Sequence, residues 1–482
     1  MSKQSRRRKQ AARNEIRFQI EERKPTRAFI VHPDMCAPAG ARRHADDAQA
    51  PLPASTCLRT PEAQLQEAVS LAAAIDLDIR GQVIVPLRRL HPATLFGGGK
   101  VEELGEAISA TDAELVIVNS RLSPGQQRNL EKAWQVKVLD RTGLILEIFG
   151  RRASTREGRL QVELAHLEYQ RTRLVRSWTH LERQRGGAGF MGGPGETQIE
   201  IDRRILKDRI ARIRRQLEEV KRTRELHRKT RRKTPWPVVA LAGYTNTGKS
   251  TLFNRLTQAE VLAKDQLFAT LDPTMRLIRL PAGREVVLSD TVGFISDLPT
   301  TLVAAFRATL EEVVEADLIL HVRDVRDAVE AEAQARDVRE VLRELGVEEE
   351  RPIIEVWNKA DLWDDESRQR LRQQAAARRD VVITSAISGE GLDALQAMIA
   401  DRLAARSALR RLTLSHAEGA ALAWCYRHAE VLAREDTEDG TQLTLRLPPA
   451  ELARAEKRFG PRLVSPPPER DAPAPALPRA AE

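Results

Sequence analysis

The segment GYTNTGKS at 243–250 constrains this chain more than any other feature. It follows the apolar run VVALA and precedes TLFNRLTQ, so it matches GxxxxGK(S/T) with a strand before the pattern and a helix after it. Gly243 and Gly248 let the backbone curl so that successive N–H groups face a phosphate. Lys249 supplies a cation to the phosphate oxygens, and the Ser250 hydroxyl can ligate Mg²⁺. The segment therefore predicts a nucleotide site on an α/β fold.

Two later segments indicate which base the nucleotide carries. NKAD at 358–361 follows the apolar run PIIEVW, and TSAISGEG follows DVVI. Asp361 can accept hydrogen bonds from the N1–H and the 2-amino group of guanine. Adenine lacks both donors, and an unpaired buried carboxylate would be costly. Ser385, Ala386 and Ile387 would close over the base through backbone N–H groups. These segments predict that the site takes GTP and rejects ATP.

The segments DTVGF and FATLDPT are typical of the parts of a GTPase that surround Mg²⁺ and the γ-phosphate. DTVGF follows EVVLS and places Asp290 just outside the direct ligands of Mg²⁺, with the Gly293 amide near the γ-phosphate. Thr270 lies twenty residues after Ser250 and is the candidate switch threonine that completes the Mg²⁺ shell. Five elements in one order and at suitable spacing predict a GTPase domain.

The candidate site consists of residues from these five segments. Residues expected to act on the reacting phosphate are Lys249, Thr270 and Gly293, and those expected to hold Mg²⁺ are Ser250 and Thr270, with Asp290 outside them. Residues expected to contact GTP are Gly243, Tyr244, Thr245, Asn246, Thr247, Gly248, Lys249, Ser250, Phe268, Ala269, Thr270, Leu271, Asp272, Asp290, Thr291, Val292, Gly293, Asn358, Lys359, Ala360, Asp361, Ser385, Ala386 and Ile387.

Two residues of the site bear on the rate of hydrolysis. Many GTPases carry a glutamine after DTVG that orients the attacking water, and here the residue is Phe294. A phenyl ring cannot polarise water, so we expect slow intrinsic hydrolysis and a missing group that comes from elsewhere. Packing is the alternative role for the ring. Asn246 suggests a K⁺ ion in place of an arginine finger, which equal turnover in K⁺ and Na⁺ buffers would contradict.

The charge of the chain is concentrated in two segments. The formal net charge is +9, but residues 1–30 carry a local net of +7 and residues 156–233 a local net of +11. Two basic segments on an otherwise acidic chain indicate a polyanionic partner, although a single charged run is more often a solvated helix face. Aromatic residues make up only 4% of the chain, which disfavours stacking on single-stranded bases. Phosphate contacts to folded RNA are the favoured interpretation.

The pattern along the chain predicts an α/β protein in six segments. Alternating apolar runs and amphipathic stretches predict helices at 61–75, 100–110, 124–133 and 142–150 and strands at 81–86, 114–119 and 136–139, with a parallel sheet. At the C-terminal end we expect a helix at 416–433, a strand at 442–447 and a helix at 449–458. The segments are a flexible basic arm (1–25), an α/β domain with a parallel sheet (26–155), a basic helical hairpin (156–234), a P-loop GTPase domain (235–406), a small α+β domain (407–461) and a disordered tail (462–482).

The hairpin is predicted from two basic amphipathic stretches, 156–182 and 197–230. Between them, RGGAGFMGGPGE at 185–196 has six glycines and a proline in twelve residues, which no helix tolerates. It could be a mere connector, but a helical hairpin needs only a few residues to turn. We therefore favour a functional loop at the tip.

Other features exclude whole classes of protein. No apolar run approaches the ~18 residues that a membrane span needs, and the basic start lacks the apolar region of a secretory signal. Cys36, Cys57 and Cys425 show neither CxxC nor metal-ligand spacing, so we expect reduced thiols. The sequence predicts a cytoplasmic protein with no membrane span, and a monomer is the default expectation.

The order of segments resembles the HflX family of translational GTPases, within the wider Obg–HflX group. The most specific parts are FGGGKVEEL, DRTGLILEIF, LVRSWTHLERQRGG, GGPGETQIEIDRR, GYTNTGKSTLFN, LFATLDPT and DTVGFISDLP, and the resemblance extends from about Ala28 to about Phe459. Related GTPases share only the nucleotide elements, so the segments before Pro235 carry the resemblance.

The resemblance implies a partner. Members of the family bind the large (50S) ribosomal subunit, which stimulates their GTPase activity, and bacterial members are implicated in splitting stalled ribosomes or recycling subunits under stress. The glycine-rich loop 185–196 would then reach ribosomal RNA near the peptidyl-transferase centre. The expected function is a ribosome-stimulated GTPase with GTP, GDP, Mg²⁺ and the 50S subunit with its rRNA as partners, and K⁺ as a candidate second cofactor.

Three alternatives remain open from the sequence. An RNA-modification or ribosome-assembly GTPase would be expected to carry a KH-like GxxG module or a modification domain, and neither is visible. A non-hydrolysing RNA-binding factor with structural GTP is disfavoured by Lys249, Ser250, Thr270 and Asp290. A membrane-associated regulator of proteolysis lacks an apolar anchor.

Overall fold

The computed structural model describes residues 25–35, 59–87, 89–176, 198–231, 236–258, 268, 274–296, 310, 312–347, 351–405, 407–437, 440–447 and 449–465. The predictions for the arm before Pro25, the loop 185–196, residues 269–272 and the tail beyond residue 465 lie outside these ranges. The chain divides into two compact units, Met1–Ala153 with Val162–Ala211 and Ser154–Gln161 with Arg212–Glu482. Within the described ranges, no helix is long and apolar enough to cross a membrane.

The first unit contains the predicted parallel sheet. Its strands are β1 (Arg27–Asp34), β2 (Asp78–Pro86), β3 (Leu115–Val118) and β4 (Lys137–Asp140), in the order β2-β1-β3-β4 and all parallel. Its helices are α1 (Pro61–Ala73), α2 (Gly98–Ala110), α3 (Pro124–Trp134) and α4 (Arg141–Arg152). The central strand β3 is apolar throughout and β1 is buried from Ala28 to Pro33, because helices cover both faces of such a sheet. The sequence placed the start of β2 three residues too late and did not predict the central strand β1.

Local signals in the sequence set the helix starts of this unit. Thr60 caps α1 and Ser123 caps α3 through a reciprocal capping box with Gln126, and each helix begins with a proline. Asp140 caps α4 by accepting from the amide of Gly143. The core between α2, α3 and the sheet includes Phe29, Phe96, Ile108, Val116, Leu130 and Trp134, all buried.

The two basic helices form as predicted within the described ranges. They are α5 (Arg156–Arg176) and α6 (Gln198–Arg231). Arg209 of α6 donates to Glu163 of α5 at 2.5 Å, which joins the two helices by an ion pair. Among the described side chains, each helix buries a short apolar stripe, and α6 exposes basic residues such as Arg203, Arg204 and Lys207 on its polar face.

A six-stranded sheet carries the phosphate loop. Its strands are β5 (Val238–Gly243), β6 (Thr274–Arg279), β7 (Glu285–Asp290), β8 (Leu318–Asp324), β9 (Ile353–Asn358) and β10 (Val381–Ile383), in the order β10-β9-β8-β5-β7-β6, with only β6 antiparallel. The helices are α7 (Lys249–Thr257), α8 (Ala328–Glu344), α9 (Asp365–Ala376) and α10 (Leu392–Ala405). The carboxyl ends of β5, β7, β8 and β9 therefore meet at one edge, where a ligand site is expected.

The structure of the C-terminal region corrects several predictions. It contains β11 (Ala408–Leu414), α11 (Gly419–His428), β12 (Glu430–Thr437), β13 (Gly440–Leu447), α12 (Pro449–Phe459) and β14 (Leu463–Val464), with an antiparallel sheet in the order β12-β13-β11-β14. The helix predicted at 416–433 was wrong at its end, because residues from Glu430 onward pair with β13 instead. The strands β11, β12 and β14 were missed, whereas the small α+β character is confirmed. The predicted disordered tail (462–482) was wrong at its start, because Leu463 and Val464 pair with β11.

Candidate functional site

Two glycines shape the phosphate loop. Gly243 ends β5 with φ +151°, and a Cβ there would lie 2.3 Å from the carbonyl oxygen of Val322 on β8. Gly248 has φ +90°, and a Cβ there would lie 2.3 Å from Nδ2 of Asn358 on β9. Only glycine fits at either position, so the loop lies tightly against the ends of two neighbouring strands.

Lys249 is the first residue of α7 and is buried. Its Nζ donates to the carbonyl oxygen of Tyr244 at 2.6 Å, so the ammonium lies inside the loop and faces the position expected for phosphates. Burial lowers the pKa of Lys249 to about 8, and the nearby Asp290 carboxylate opposes this shift. A buried cation of this kind gains a strong partner when phosphate oxygens arrive.

Ser250 and Asp290 bring hard oxygen atoms together beside Lys249. The Ser250 hydroxyl donates to Oδ2 of Asp290 at 2.8 Å. Asp290 is fully buried at the end of β7, and the next residue, Thr291, donates its hydroxyl to the carbonyl oxygen of Leu241 on β5. Among the described residues no cluster of three or more His, Cys, Asp or Glu side chains could hold a metal. This donor set fits Mg²⁺, which keeps water ligands and takes its remaining oxygens from nucleotide phosphates.

Phe294 lies in the core rather than in the site. Its side chain is only 2% exposed, and its backbone pairs with the phosphate loop, accepting from the amide of Thr245 at 2.8 Å and donating to the carbonyl of Gly243 at 3.1 Å. The preceding Gly293 lies close to the loop, because a Cβ there would lie 3.1 Å from Nζ of Lys249. The ring therefore packs, and the backbone before it approaches the lysine.

Asn358 connects three of the predicted segments. Its Nδ2 donates to the carbonyl oxygen of Thr247 at 2.9 Å, and its Oδ1 accepts from the amide of Ala386 at 3.0 Å. The Oδ1 of Asp361 accepts from the Ser385 hydroxyl at 2.6 Å. This hydrogen bond orients the carboxylate, as a site that reads the edge of a base requires.

Lys359 and Ile387 belong to the NKAD and SAI segments, which these hydrogen bonds connect. Lys359 adopts a left-handed conformation with φ +65°, and its Nζ lies 3.3 Å from Oδ2 of Asp324. Ile387 is 71% exposed. Phe268 also has positive φ and is buried. The structure brings together the predicted residues of the phosphate loop, DTVG, NKAD and SAI segments, whereas Ala269, Thr270, Leu271 and Asp272 lie outside the described residues.

Four family descriptions match successive parts of the chain. They are "GTP-binding GTPase N-terminal" over 62–150, "GTP-binding GTPase Middle Region" over 152–231, "50S ribosome-binding GTPase" over 238–359 and "HflX C-terminal domain" over 370–469. Together they run through both units of the structure, and the third contains the phosphate loop, DTVG and the start of NKAD.

Curated relatives match most of the chain. A protein named GTPase HflX from Magnetococcus marinus is 51% identical over 81% of this chain and 90% of its own length. The chain belongs to the HflX family of GTPases. The GTPase HflX proteins of Escherichia coli and Lacrimispora saccharolytica are 46% and 44% identical, over 89% and 87% of their lengths. Membership confirms the resemblance, the P-loop GTPase fold and the prediction of a GTP-hydrolysing enzyme.

Sequence reasoning missed Asp324 and Thr384 in this HflX-family site. Asp324 ends β8 and holds Lys359, and Thr384 donates its hydroxyl to Oδ1 of Asn358 at 3.3 Å. The signal for Asp324 is an acidic residue at the end of LILHVR, a segment that is apolar except for His321 and Arg323. Asp324 belongs to the site only because β8 lies between β5 and β9, and this strand order cannot be predicted from a local sequence pattern.

We expect nucleotide affinity to fall at high pH because of Lys249. Its pKa is about 8 without nucleotide, and bound phosphates raise that pKa, so binding favours the protonated form. Affinity should be constant below about pH 8 and weaken above it, approaching tenfold per pH unit. Titration of GDP between about pH 7 and pH 9 measures this. A constant affinity across that range would contradict the role of Lys249 as a titrating phosphate ligand.

Proposed function

We propose that this HflX-family GTPase binds the large ribosomal subunit in its GTP state and is released after hydrolysis. The observation that carries the proposal is the combination, in one chain, of a guanine-nucleotide site with the long basic helix α6. This helix has thirteen Lys and Arg residues against six acids, and many of its basic side chains are exposed. Such a helix suits phosphate contacts to folded RNA. The family description "50S ribosome-binding GTPase" for residues 238–359 supports the same partner.

The nucleotide is held by groups that face one another in the cleft. Backbone amides of the phosphate loop and the Lys249 ammonium bind the β- and γ-phosphates. The free edge of the Asp361 carboxylate accepts from N1–H and the 2-amino group of guanine while Ser385 fixes its other oxygen. Ser250 would ligate Mg²⁺, with Asp290 acting through a water and Thr270 completing the shell. Mg²⁺ supplies charge neutralisation to the phosphate oxygens when it is bound.

Hydrolysis is expected to depend on the partner. The buried Phe294 ring places no polar side chain where many GTPases carry the glutamine that orients water. The Gly293 amide remains available for the γ-phosphate. Binding to the ribosome would order the attacking water, and a K⁺ ion held near Asn246 would be a second source of positive charge. Asn246 has φ +58° within the phosphate loop.

The cellular role that fits this cycle is the splitting or recycling of stalled ribosomes, or subunit biogenesis under stress. In this proposal α5 and α6 form a hairpin that presents the loop 185–196 to ribosomal RNA. The GTPase site then decides when the contact ends. The segment boundaries predicted above, with a separate hairpin before Pro235 and a small domain after residue 406, belong to the same proposal.

Sedimentation with 50S subunits tests whether the loop 185–196 makes the ribosome contact while the bound nucleotide controls it. The full chain should pellet with 50S in a non-hydrolysable GTP analogue and much less in GDP. Replacing residues 185–196 by a short glycine and serine linker should reduce pelleting at least tenfold and leave intrinsic GTP turnover within about twofold, since the loop contains none of the candidate nucleotide-site residues. Loss of free GTPase activity in the linker variant, or equal pelleting in GDP, would contradict the proposal.

A further inference from the structure

One buried carboxylate joins helix α5 to the N-terminal sheet. Asp140, at the end of β4, is 2% exposed. Its Oδ1 accepts from the amide of Gly143 at 2.8 Å and from the Tyr169 hydroxyl at 2.6 Å. Its Oδ2 accepts from the amide of Leu122 at 3.3 Å and from Nη2 of Arg173 at 2.8 Å. Two donors belong to the sheet domain and two to α5, so the carboxylate is shared between them.

Electrostatic interactions stabilise the contacts of Asp140 with α5. A buried carboxylate is stable only when it is paired and hydrogen-bonded, and Arg173 supplies the opposite charge. The Arg173 guanidinium also lies 4.2 Å from the centre of the Tyr169 ring, which adds a cation–π contact. Burial, followed by the charge of Asp140, raises the pKa of Tyr169, so its hydroxyl keeps its proton and remains a donor. Loss of either α5 residue would leave Asp140 short of a partner.

Steric contacts fix the same pair of helices in one register. A Cβ at Gly143 would lie 2.9 Å from the Tyr169 hydroxyl, so α4 needs a glycine where α5 crosses it. One turn closer to the start of α5, Nε2 of His166 lies 3.2 Å from the carbonyl oxygen of Leu146. Because Tyr169 and His166 are three residues apart, both contacts fall on one face of α5. That face is therefore held at two points along α4.

The next residue extends the connection into the sheet. The Arg141 guanidinium donates to Oδ1 of Asn119 at 2.6 Å and to Oε1 of Glu67 at 3.1 Å. Asn119 follows β3, and its Nδ2 lies 3.1 Å from Nδ1 of His32 on β1. Asp140 and Arg141 thus bind α5 on one side and the ends of the two central strands on the other. The segment DRTGLILEIF, distinctive in the sequence but outside the nucleotide site, acquires a structural explanation.

We propose that Asp140, Tyr169 and Arg173 are positioning residues for the ribosome-dependent reaction. This inference rests on the proposed function. They hold α5 against the N-terminal sheet, and Arg173 precedes the loop 185–196 by twelve residues in the sequence. The sheet domain then acts as the base that aims the hairpin at RNA. When the hairpin is fixed on the sheet domain, less conformational entropy is lost as it docks on RNA. The role of the N-terminal domain is then to preorganise the RNA-contacting hairpin.

Two variants separate this role from a loss of charge. Tyr169→Phe removes one hydroxyl and no charge, and Arg173→Ala removes the pairing guanidinium. Arg171→Ala is the matched control, because it removes an arginine from the same helix outside the Asp140 contacts. GTP turnover of the full chain is measured alone and over a series of 50S concentrations, together with thermal unfolding and hydrogen exchange of α5.

We expect all three variants to keep intrinsic turnover within twofold. With 50S, kcat/KM for the subunit should fall about fivefold in Tyr169→Phe and more in Arg173→Ala, with Arg173→Lys restoring part of it, while Arg171→Ala stays within twofold. Amides of α5 should exchange faster in Tyr169→Phe and Arg173→Ala but not in Arg171→Ala. If 50S stimulates the wild type, Tyr169→Phe and Arg173→Ala equally, the inference is wrong and the proposed function stands. The same conclusion follows if Arg171→Ala loses as much stimulation as the other two variants. A wild type that 50S does not stimulate overturns the proposed function and this inference with it.

Discussion

Replacing Lys249 with alanine is expected to reduce GTP and GDP affinity at least about a hundredfold. The ammonium is buried and donates to the carbonyl oxygen of Tyr244 inside the loop, so the variant removes a cation that is already positioned for the phosphates. Removal of one preorganised charge-assisted contact in such a site costs about 10²–10³-fold. Equilibrium titration with a fluorescent GDP analogue measures the loss.

An exposed lysine provides the control for this variant. Lys132 lies in the last turn of α3, in the other unit of the chain, and Lys132→Ala should leave nucleotide affinity within twofold. The midpoint temperature of thermal unfolding of nucleotide-free Lys249→Ala should be unchanged or slightly raised, because the variant no longer buries an ammonium. Affinity close to that of the wild type would show that Lys249 does not contact phosphate.

Asp361→Asn is expected to change which base the site accepts. In the wild type the Ser385 hydroxyl occupies Oδ1 of Asp361, which leaves Oδ2 for the donors of guanine. Asparagine can keep the bond from Ser385 through its oxygen and would present an amide donor to the base. Guanine then meets donor against donor, and GTP affinity should fall by about 10²–10⁴-fold. Xanthine has a carbonyl in place of the 2-amino group, so xanthosine triphosphate should bind better than GTP.

Competition titrations with GTP and xanthosine triphosphate measure this exchange of preference. Asp365→Asn is the matched control, since Asp365 is an exposed carboxylate at the start of α9 just after the pocket. It should keep the wild-type preference for GTP. If Asp361→Asn also keeps that preference, Asp361 does not read the base and the guanine assignment is wrong.

The sequence predicted the parts of the site that are written in contiguous residues. The phosphate loop works through Gly243, Gly248 and Lys249, which are adjacent or nearly so, and their spacing alone states the chemistry. The segments NKAD and SAI were found the same way, and the bonds from Asn358 to Thr247 and Ala386 bring them onto the loop. Thr270 stays a prediction, because it lies outside the described residues.

The missed features depend on residues that are far apart in the chain. Asp324 and Lys359 are thirty-five residues apart and meet only because β8 and β9 are neighbours. Asp140 meets Tyr169 and Arg173 across a whole helix, so DRTGLILEIF could be noticed but not explained. The error at 416–433 has the same origin, because helical propensity continues past His428 whereas pairing with β13 makes Glu430–Thr437 a strand.

Stimulation of GTP turnover by purified 50S subunits, measured in potassium buffer with the wild-type chain, tests the central claim most directly. The buried Phe294 ring cannot orient water at the position where many GTPases carry a glutamine, so we expect slow turnover alone and at least a tenfold rise with 50S. The rise should saturate with subunit concentration and continue over many turnovers. Fast turnover of the free protein with no rise on adding 50S would contradict the claim and would indicate a self-contained GTPase whose basic helices serve another RNA.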